Sequence, residues 1–366
     1  MSDTPIKIDI QSVAPSSLKK THYAALDGLR GIAAIIVVLY HYFDELHGFN
    51  MMRNPISHGF LAVDFFFCLS GFVIACAYDE RMKNIGLGRF FLNRLIRLHP
   101  LVIIGSIIGA VAYAANPFLE NPLAAGWKTV LWTFFLSLFL IPTPYLKYRG
   151  SALFPYNVPT WSLFFEYIIN AVYAFLLCRV TRKWLVVIGA LSAAFLIYIA
   201  LDTGMFHGGW SRENYMHGFA RVGYSFTAGL LISRFKIIWR NRLGFLLPGL
   251  LLVGVCLSPH YYGDLIMELY YVMLLFPMIV CLGAGTGASG IIERMCNLLG
   301  RISYSLYMTH MSTVILFGNY KTKVNPTNEK SIIIIISLAI FNLLFAYAIT
   351  RWVDEPLRKW LNNLKR

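Results

Sequence analysis

The stretch LDGLRGIAAIIVVLYHYF, residues 26–43, decides the fold. With the residues up to 46 it is long and apolar enough to cross a hydrocarbon core of ~30 Å as a helix rising ~1.5 Å per residue. Among its ionisable side chains Arg30 and His41 stand out, because ionisable groups inside a membrane span are costly enough to mark functional positions. Eleven residues at ~100° each return a helix to within roughly 20° of its starting direction and advance it by about 16 Å. Both side chains therefore share one face at different depths. That arrangement suits a site that grips an anion near one membrane surface and does proton chemistry deeper in.

Composition sets the class. Of 366 residues, 57% are hydrophobic and only 14% charged, where a soluble domain carries roughly a quarter, so the chain reads as an all-α, polytopic membrane bundle. The formal net charge of +14 fits basic residues retained on cytoplasmic loops, and no nucleic-acid partner is expected. The six cysteines, Cys68, Cys76, Cys178, Cys256, Cys281 and Cys296, lack metal-ligand spacing and read as small buried hydrophobes. There is no GKS/T phosphate loop and no HExxH run, so nucleotide hydrolysis and zinc proteolysis have no support.

Windows apolar enough to span lie near 26–46, 60–78, 92–115, 159–178, 184–201, 216–233, 243–258, 265–283, 302–318 and 331–352. Basic clusters at Lys19 and Lys20, Arg81 to Arg97, Arg179 to Lys183, Arg234 to Arg242 and Arg358 to Arg366 set the topology. If all are cytoplasmic, an even number of crossings separates neighbouring clusters, which gives ten spans with both termini inside. Residues 127–141 then form a re-entrant or surface segment. Lys321, Lys323 and Lys330 in the last outer loop run against this rule without reversing it. Residues 1–25 read as a polar cytoplasmic tail without the layout of a secretory signal, 26–352 as one membrane domain, and 353–366 as a basic cytoplasmic tail.

Further polar residues inside the apolar windows are candidates for the site. Asp64 stands in HGFLAVDFFFCLSGF, where a carboxylate needs a cation or hydroxyl as partner; Ser70 and Gly71 in the same run allow close helix packing. In RFFLNRLIRLHP, Arg94 and Arg97 are three apart on one helical face and suit phosphate, or equally an anchor on lipid head groups. In NVPTWSLFFEYIINAVY, Trp161 reads as an interfacial anchor, Ser162 as a weak cap, and Glu166 as a group that orients His41, positions an acceptor hydroxyl or pairs with Arg221. In GRISYSLYMTH, Arg301 sits near the cytoplasmic surface, Tyr304 is a hydroxyl that touches ligand or a neighbouring helix, and His310 is a second proton carrier. The ending RWVDEPLRKWL reads as a boundary.

LDGLRG with VVLYH, DFFFCLSGF, RLIRLHP, WSLFFE, RVGYSFTAGLL, GRISYSLYMTH and a VDEP ending, in that order, resemble the integral-membrane acyltransferase-3 family over almost the whole chain. The resemblance implies an O-acetyltransferase of surface polysaccharides and related acceptors, in the bacterial cytoplasmic membrane. Its Arg-x10-His signature falls on Arg30 and His41, and its Arg-x-x-Arg signature on Arg94 and Arg97. It implies cytoplasmic acetyl-CoA or another acyl-CoA as donor, no metal, and a stand-alone membrane form.

In that reading Arg94, Arg97 and Arg30, with Tyr304 and Arg301, hold the donor, and His41 is the general base with Glu166 or Asp64 fixing its tautomer. An acyl-histidine intermediate is the variant mechanism. Trp161, Ser162, Arg221 and His310 are expected around a lipid-linked or polymeric saccharide. Tyr145, Tyr148, Tyr156 and Trp210 on outer loops read as platforms for sugar faces or as interface belts. The rival reading is a transporter that uses the buried His, Asp and Glu as a proton relay, although no two pseudo-symmetric halves are visible.

Overall fold

The computed structural model describes residues 22–121, 126–143 and 146–364. Most of the N-terminal tail, with Lys19 and Lys20, and also Tyr145, Lys365 and Arg366 lie outside the described residues. Helices α1 (Ala24–Leu46) and α2 (Ala62–Tyr78) are antiparallel: Tyr23 at the start of α1 stacks edge-on against Phe72 near the end of α2. A short turn, α3 (Met82–Ile85), leads through Gly86 to α4 (Leu87–Ala114). Next come α5 (Trp127–Leu138), α6 (Thr160–Val172), α7 (Arg182–Thr203) and α8 (Tyr215–Arg234). Then follow α9 (Leu246–Leu257), α10 (Leu265–Tyr270) and α11 (Phe276–Ala284). The chain closes with α12 (Gly290–Thr309), α13 (Met311–Val324), α14 (Asn328–Ile349) and α15 (Glu355–Asn363). Among the described residues the one β feature is a single bridge between Ala152 and Ser211.

Among the described residues seven helical stretches are long and apolar enough to cross a membrane: Ala24–Leu46, Gly59–Tyr78, Leu87–Ala114, Thr160–Leu177, Arg182–Thr203, Leu265–Ala284 and Asn328–Asn363. Each falls on one of the ten sequence windows, so length and hydropathy bear out seven of the ten expected spans. The other three windows depart for separable reasons. Helix α8 has the length, but His217, Arg221 and its hydroxyl residues lower its hydropathy. Window 243–258 is helical only over the twelve residues of α9. Window 302–318 breaks at His310, between α12 and α13. Helix α5, with twelve residues and thus ~18 Å, is too short to cross. It turns Trp127, Leu131, Trp132 and Phe135 outward and keeps Thr133 and Ser137 buried, as an element lying against the bundle does.

Small residues set the closest helix contacts, as expected where lipid removes the hydrophobic drive between helices. A Cβ on Gly71 of α2 would strike the Phe226 carbonyl oxygen, and one on Gly229 of α8 the Cys68 carbonyl oxygen, so these two helices meet backbone to backbone. Gly31 does the same for α1 against Leu299 of α12, which brings Arg30 beside the start of the GRISYS run. All six cysteines are free, and Cys76 is exposed, so it is not the buried hydrophobe the sequence reading made it. Wider π turns follow α6 at Tyr173–Leu177, join α10 to α11 at Tyr271–Leu275 and join α14 to α15 at Thr350–Asp354.

Candidate active site

A cavity of about 480 Å³ opens among α1, α2, α4, α6, α12 and α15, within the ~300–1,000 Å³ typical of ligand pockets. Its wall on α2 runs from Ile74 to Val63, eleven residues or about 16 Å along the helix. At one end stand Arg30, Arg94, Arg97, Arg301 and Arg358 with Asp27, Asp354 and Glu355; towards the other stand Ser162, Phe66 and Tyr307. The helix α4 begins at Leu87, earlier than the window at 92, so Arg94 and Arg97 sit on a rigid helical face.

Four of the five arginines have carboxylate partners. Arg30 pairs with Asp27 at 2.8 Å while donating to Ser303 Oγ and to the Gly300 carbonyl. Arg94 donates through Nη2 to Glu166 Oε1 at 2.9 Å, and Glu166 also accepts from Ser70 Oγ at 2.9 Å. Arg301 pairs with Glu355 at 2.7 Å and Arg358 with Asp354 at 2.7 Å. Arg97, exposed at the mouth, has no ion pair or side-chain hydrogen bond among the described residues. Arg94 is buried and its Nε is unpartnered. The cavity thus offers one whole guanidinium to an anion, with the fork geometry that suits phosphate, and behind it a second whose Nε has no partner.

His41 lies just past the far end of this cavity and is not part of its lining. It stacks on His310, ring centroids 5.5 Å apart and planes 26° apart, and His310 in turn meets the Tyr307 ring at 6.0 Å. Tyr307 and Ser162 share a hydrogen bond at 2.9 Å where the cavity ends. His310 Nδ1 faces the carbonyls of Leu306 and Tyr307 at 3.1 and 2.9 Å. A carbonyl only accepts, so Nδ1 carries the proton and Nε2, buried and unpartnered, keeps its lone pair.

Several sequence expectations take another form here. Neither Glu166 nor Asp64 hydrogen bonds to His41. Arg221 is the partner of Asp64, at 2.6 Å through Nη2 and 3.1 Å through Nε, which leaves Glu166 to Arg94. Trp161 is buried with the Arg221 guanidinium 5.2 Å from its ring centre, which is no interfacial position. Ser162 donates to the Pro159 carbonyl and so does not cap α6. Tyr304 lines the cavity with its hydroxyl bound to the Leu98 carbonyl at 2.7 Å. Tyr156 is fully buried with its hydroxyl on the Val130 carbonyl, so it offers no sugar platform, whereas Tyr148 and Trp210 are exposed.

Asp27, Ser70, Ser303, Asp354, Glu355 and Arg358 also line the cavity, although the sequence assigns Ser70 to helix packing and the last three to a boundary rather than to the site. The signal was present for the last three. Asp354 and Arg358, four apart, are one helical turn from each other, and α15 continues α14 through a π turn and folds the supposed tail over the mouth. At the other end of the bundle, in the loop between α7 and α8, burial and then the Arg221 charge push the His207 imidazole down to about 4, so it stays neutral at pH 7.

A family profile described as an acyltransferase domain, Acyl_transf_3, matches residues 23–351. The chain is 34% identical over 189 residues to "Protein 2 in picA locus" of Rhizobium radiobacter, covering 49% of this chain and 95% of that protein. It is 36% identical over 90 residues to a putative O-acetyltransferase of Staphylococcus aureus, and 32% identical over 98 residues to a peptidoglycan O-acetyltransferase of Listeria monocytogenes. Those two alignments cover 24% and 26% of this chain, and only 13% and 14% of the longer relatives. No solved structure matches.

Proposed function

This chain belongs to the acyltransferase-3 family as an integral-membrane acyltransferase, and from that premise we propose that it moves an acetyl or similar short acyl group from cytoplasmic acyl-CoA to a saccharide hydroxyl. The observation that carries the reading is the cavity: five arginines gather at one end, one of them unpaired, and the cavity then runs through the bundle towards a pair of stacked histidines. Phosphates of the donor would meet Arg97 first, with Arg94 and Arg30 behind it. The thiol arm extends along the α2 wall towards Ser162 and Tyr307. The acceptor, a lipid-linked or polymeric surface saccharide, comes from the histidine end.

In the transfer the acceptor hydroxyl oxygen bonds to the thioester carbonyl carbon while His41 takes its proton. The carbonyl oxygen carries the negative charge until the carbon–sulfur bond breaks, and the His41 proton then leaves with the CoA thiol. His310 supports this by holding the stacked face of His41, its own tautomer fixed by two backbone carbonyls. The Tyr307 hydroxyl, turned from Ser162, is the donor nearest to where a carbonyl oxygen would lie. Nothing favours the transporter reading: Asp64 and Glu166 are each tied to an arginine and form no relay with the histidines.

The test is acetyl transfer in membranes. Radiolabelled acetyl-CoA given to membranes that contain the protein should label an envelope saccharide, and His41→Ala should abolish labelling while the protein still accumulates. Full labelling by the variant refutes the proposal, as does the absence of any protein-dependent labelled saccharide.

A further inference from the structure

At the end of the bundle away from the arginines lies a second group of titratable residues that the transfer chemistry does not use. His58 stands in the turn before α2, His260 in the loop between α9 and α10, and Glu268 on α10. One ligand atom from each lies within 4.8 Å of the others. Asp264 stands beside them, its Oδ2 at 3.8 Å from His58 Nε2 and 3.6 Å from His260 Nδ1. Glu268 Oε1 is 3.9 and 3.7 Å from the same two nitrogens. These separations exceed a hydrogen bond and are close to the ~3.4 Å between ligands on a tetrahedral ion with bonds of ~2.0–2.1 Å.

Both nitrogens are buried and without a hydrogen-bond partner. His58 is wholly buried, and its Nδ1 faces the Ser258 carbonyl at 2.9 Å, so that nitrogen carries the proton and the Nε2 lone pair points into the group. A backbone carbonyl that fixes the far nitrogen of an imidazole is the usual outer support of a metal-bound histidine. Glu268, 4% exposed, has no lysine or arginine within ion-pair distance among the described residues, unlike Asp64 and Glu166, each on an arginine. The group therefore holds the His58 lone pair, an unpartnered His260 nitrogen and two carboxylates with no lysine or arginine between them, and Asp264 Oδ2 also accepts from the Tyr261 backbone N–H. A depression of about 390 Å³ lined by Asn50, Met52, His260 and Tyr262 gives an ion a route in.

We propose that His58, His260 and Glu268, with Asp264 as fourth ligand, form a divalent metal site of the zinc class that clasps the turn before α2 to the α9–α10 loop. Two imidazoles and two carboxylates are a donor set that such a borderline ion accepts. The clasp stands apart from the acyl cavity and carries no step of the transfer, which the family resemblance reads as metal-free. Its role is to hold the end of α2 next to Phe60, whose ring lies between those of Tyr40 and His207 at 6.1 Å from each.

The test uses the purified full chain in detergent, stripped with chelator and titrated with zinc against a chromophoric competitor. One equivalent should bind, cobalt in its place should give the visible bands of a tetrahedral ion, and zinc should raise the melting temperature. Glu268→Gln and His260→Ala should each weaken zinc by more than the ~10–100-fold that loss of an outer-shell partner costs, while His47→Ala, at the same end outside the group, should bind as the parent does. Absence of stoichiometric uptake, or equal uptake by His260→Ala and Glu268→Gln, overturns the proposal. Neither result depends on the donor or the acceptor.

Discussion

Arg221 with Asp64 and Arg94 with Glu166 are the same chemistry at two places in the bundle, and they are built differently. Around the first pair nothing is left open. Arg221 gives three contacts to Asp64, further ones to the carbonyls of Gly208 and Phe60, and lies between the rings of Trp161 and Phe206; the side chains are 3% and 0% exposed. The second pair makes one contact, shares its carboxylate with Ser70, leaves Arg94 Nε free and exposes 19% of Glu166 to the cavity. A buried charge with every guanidinium nitrogen engaged holds helices together. One with donors to spare, on a cavity wall, is arranged to receive something else.

The largest expected effect breaks the closed pair. Arg221→Ala strands Asp64 without its cation, and losing one partner of a buried pair costs about 3–5 kcal/mol, so little protein should accumulate in membranes. Accumulation by immunoblot checks this, and a parental level would make the closed pair dispensable. Arg94→Ala comes next and acts on function: accumulation should stay within about twofold while acetyl transfer falls ~100-fold or more, the scale of ~3 kcal/mol expected for a charge-assisted hydrogen bond. If Arg94→Ala also fails to accumulate, the two pairs do not differ in kind.

Arg97→Ala should be milder, raising KM for acetyl-CoA about tenfold with kcat little changed, because one exposed phosphate contact adds mostly uniform binding. Steady-state kinetics at varied acetyl-CoA separate that from a loss of kcat, which would put Arg97 at the reacting atoms. The smallest effect belongs to Arg301→Ala. Its pair with Glu355 is half exposed, and exposed pairs are worth ~0–1 kcal/mol, so stability should not change measurably.

The two pairs also mark what a sequence gives up and what it keeps. Seven spans were legible because hydropathy is a local property, and so was the face shared by Arg30 and His41. The partner of Glu166 was not. Arg94 and Arg221 are both arginines in apolar windows, and only the packing of α2 on α8, at Gly71 and Gly229, brings Asp64 to Arg221 and leaves Glu166 to Arg94. The His310 break was hidden as well, since SYSLYMTHMS has no glycine or proline to mark a helix end there. The part of α15 at the cavity mouth was read as a tail because its charges satisfy a topology rule equally well.

Equilibrium binding of radiolabelled acetyl-CoA to the purified protein tests most directly the claim that this cavity holds the donor. Saturable binding of one molecule per chain, displaced by free CoA and lost in Arg94→Ala, is the predicted result. Binding that never saturates, or that survives Arg94→Ala unchanged, would contradict it.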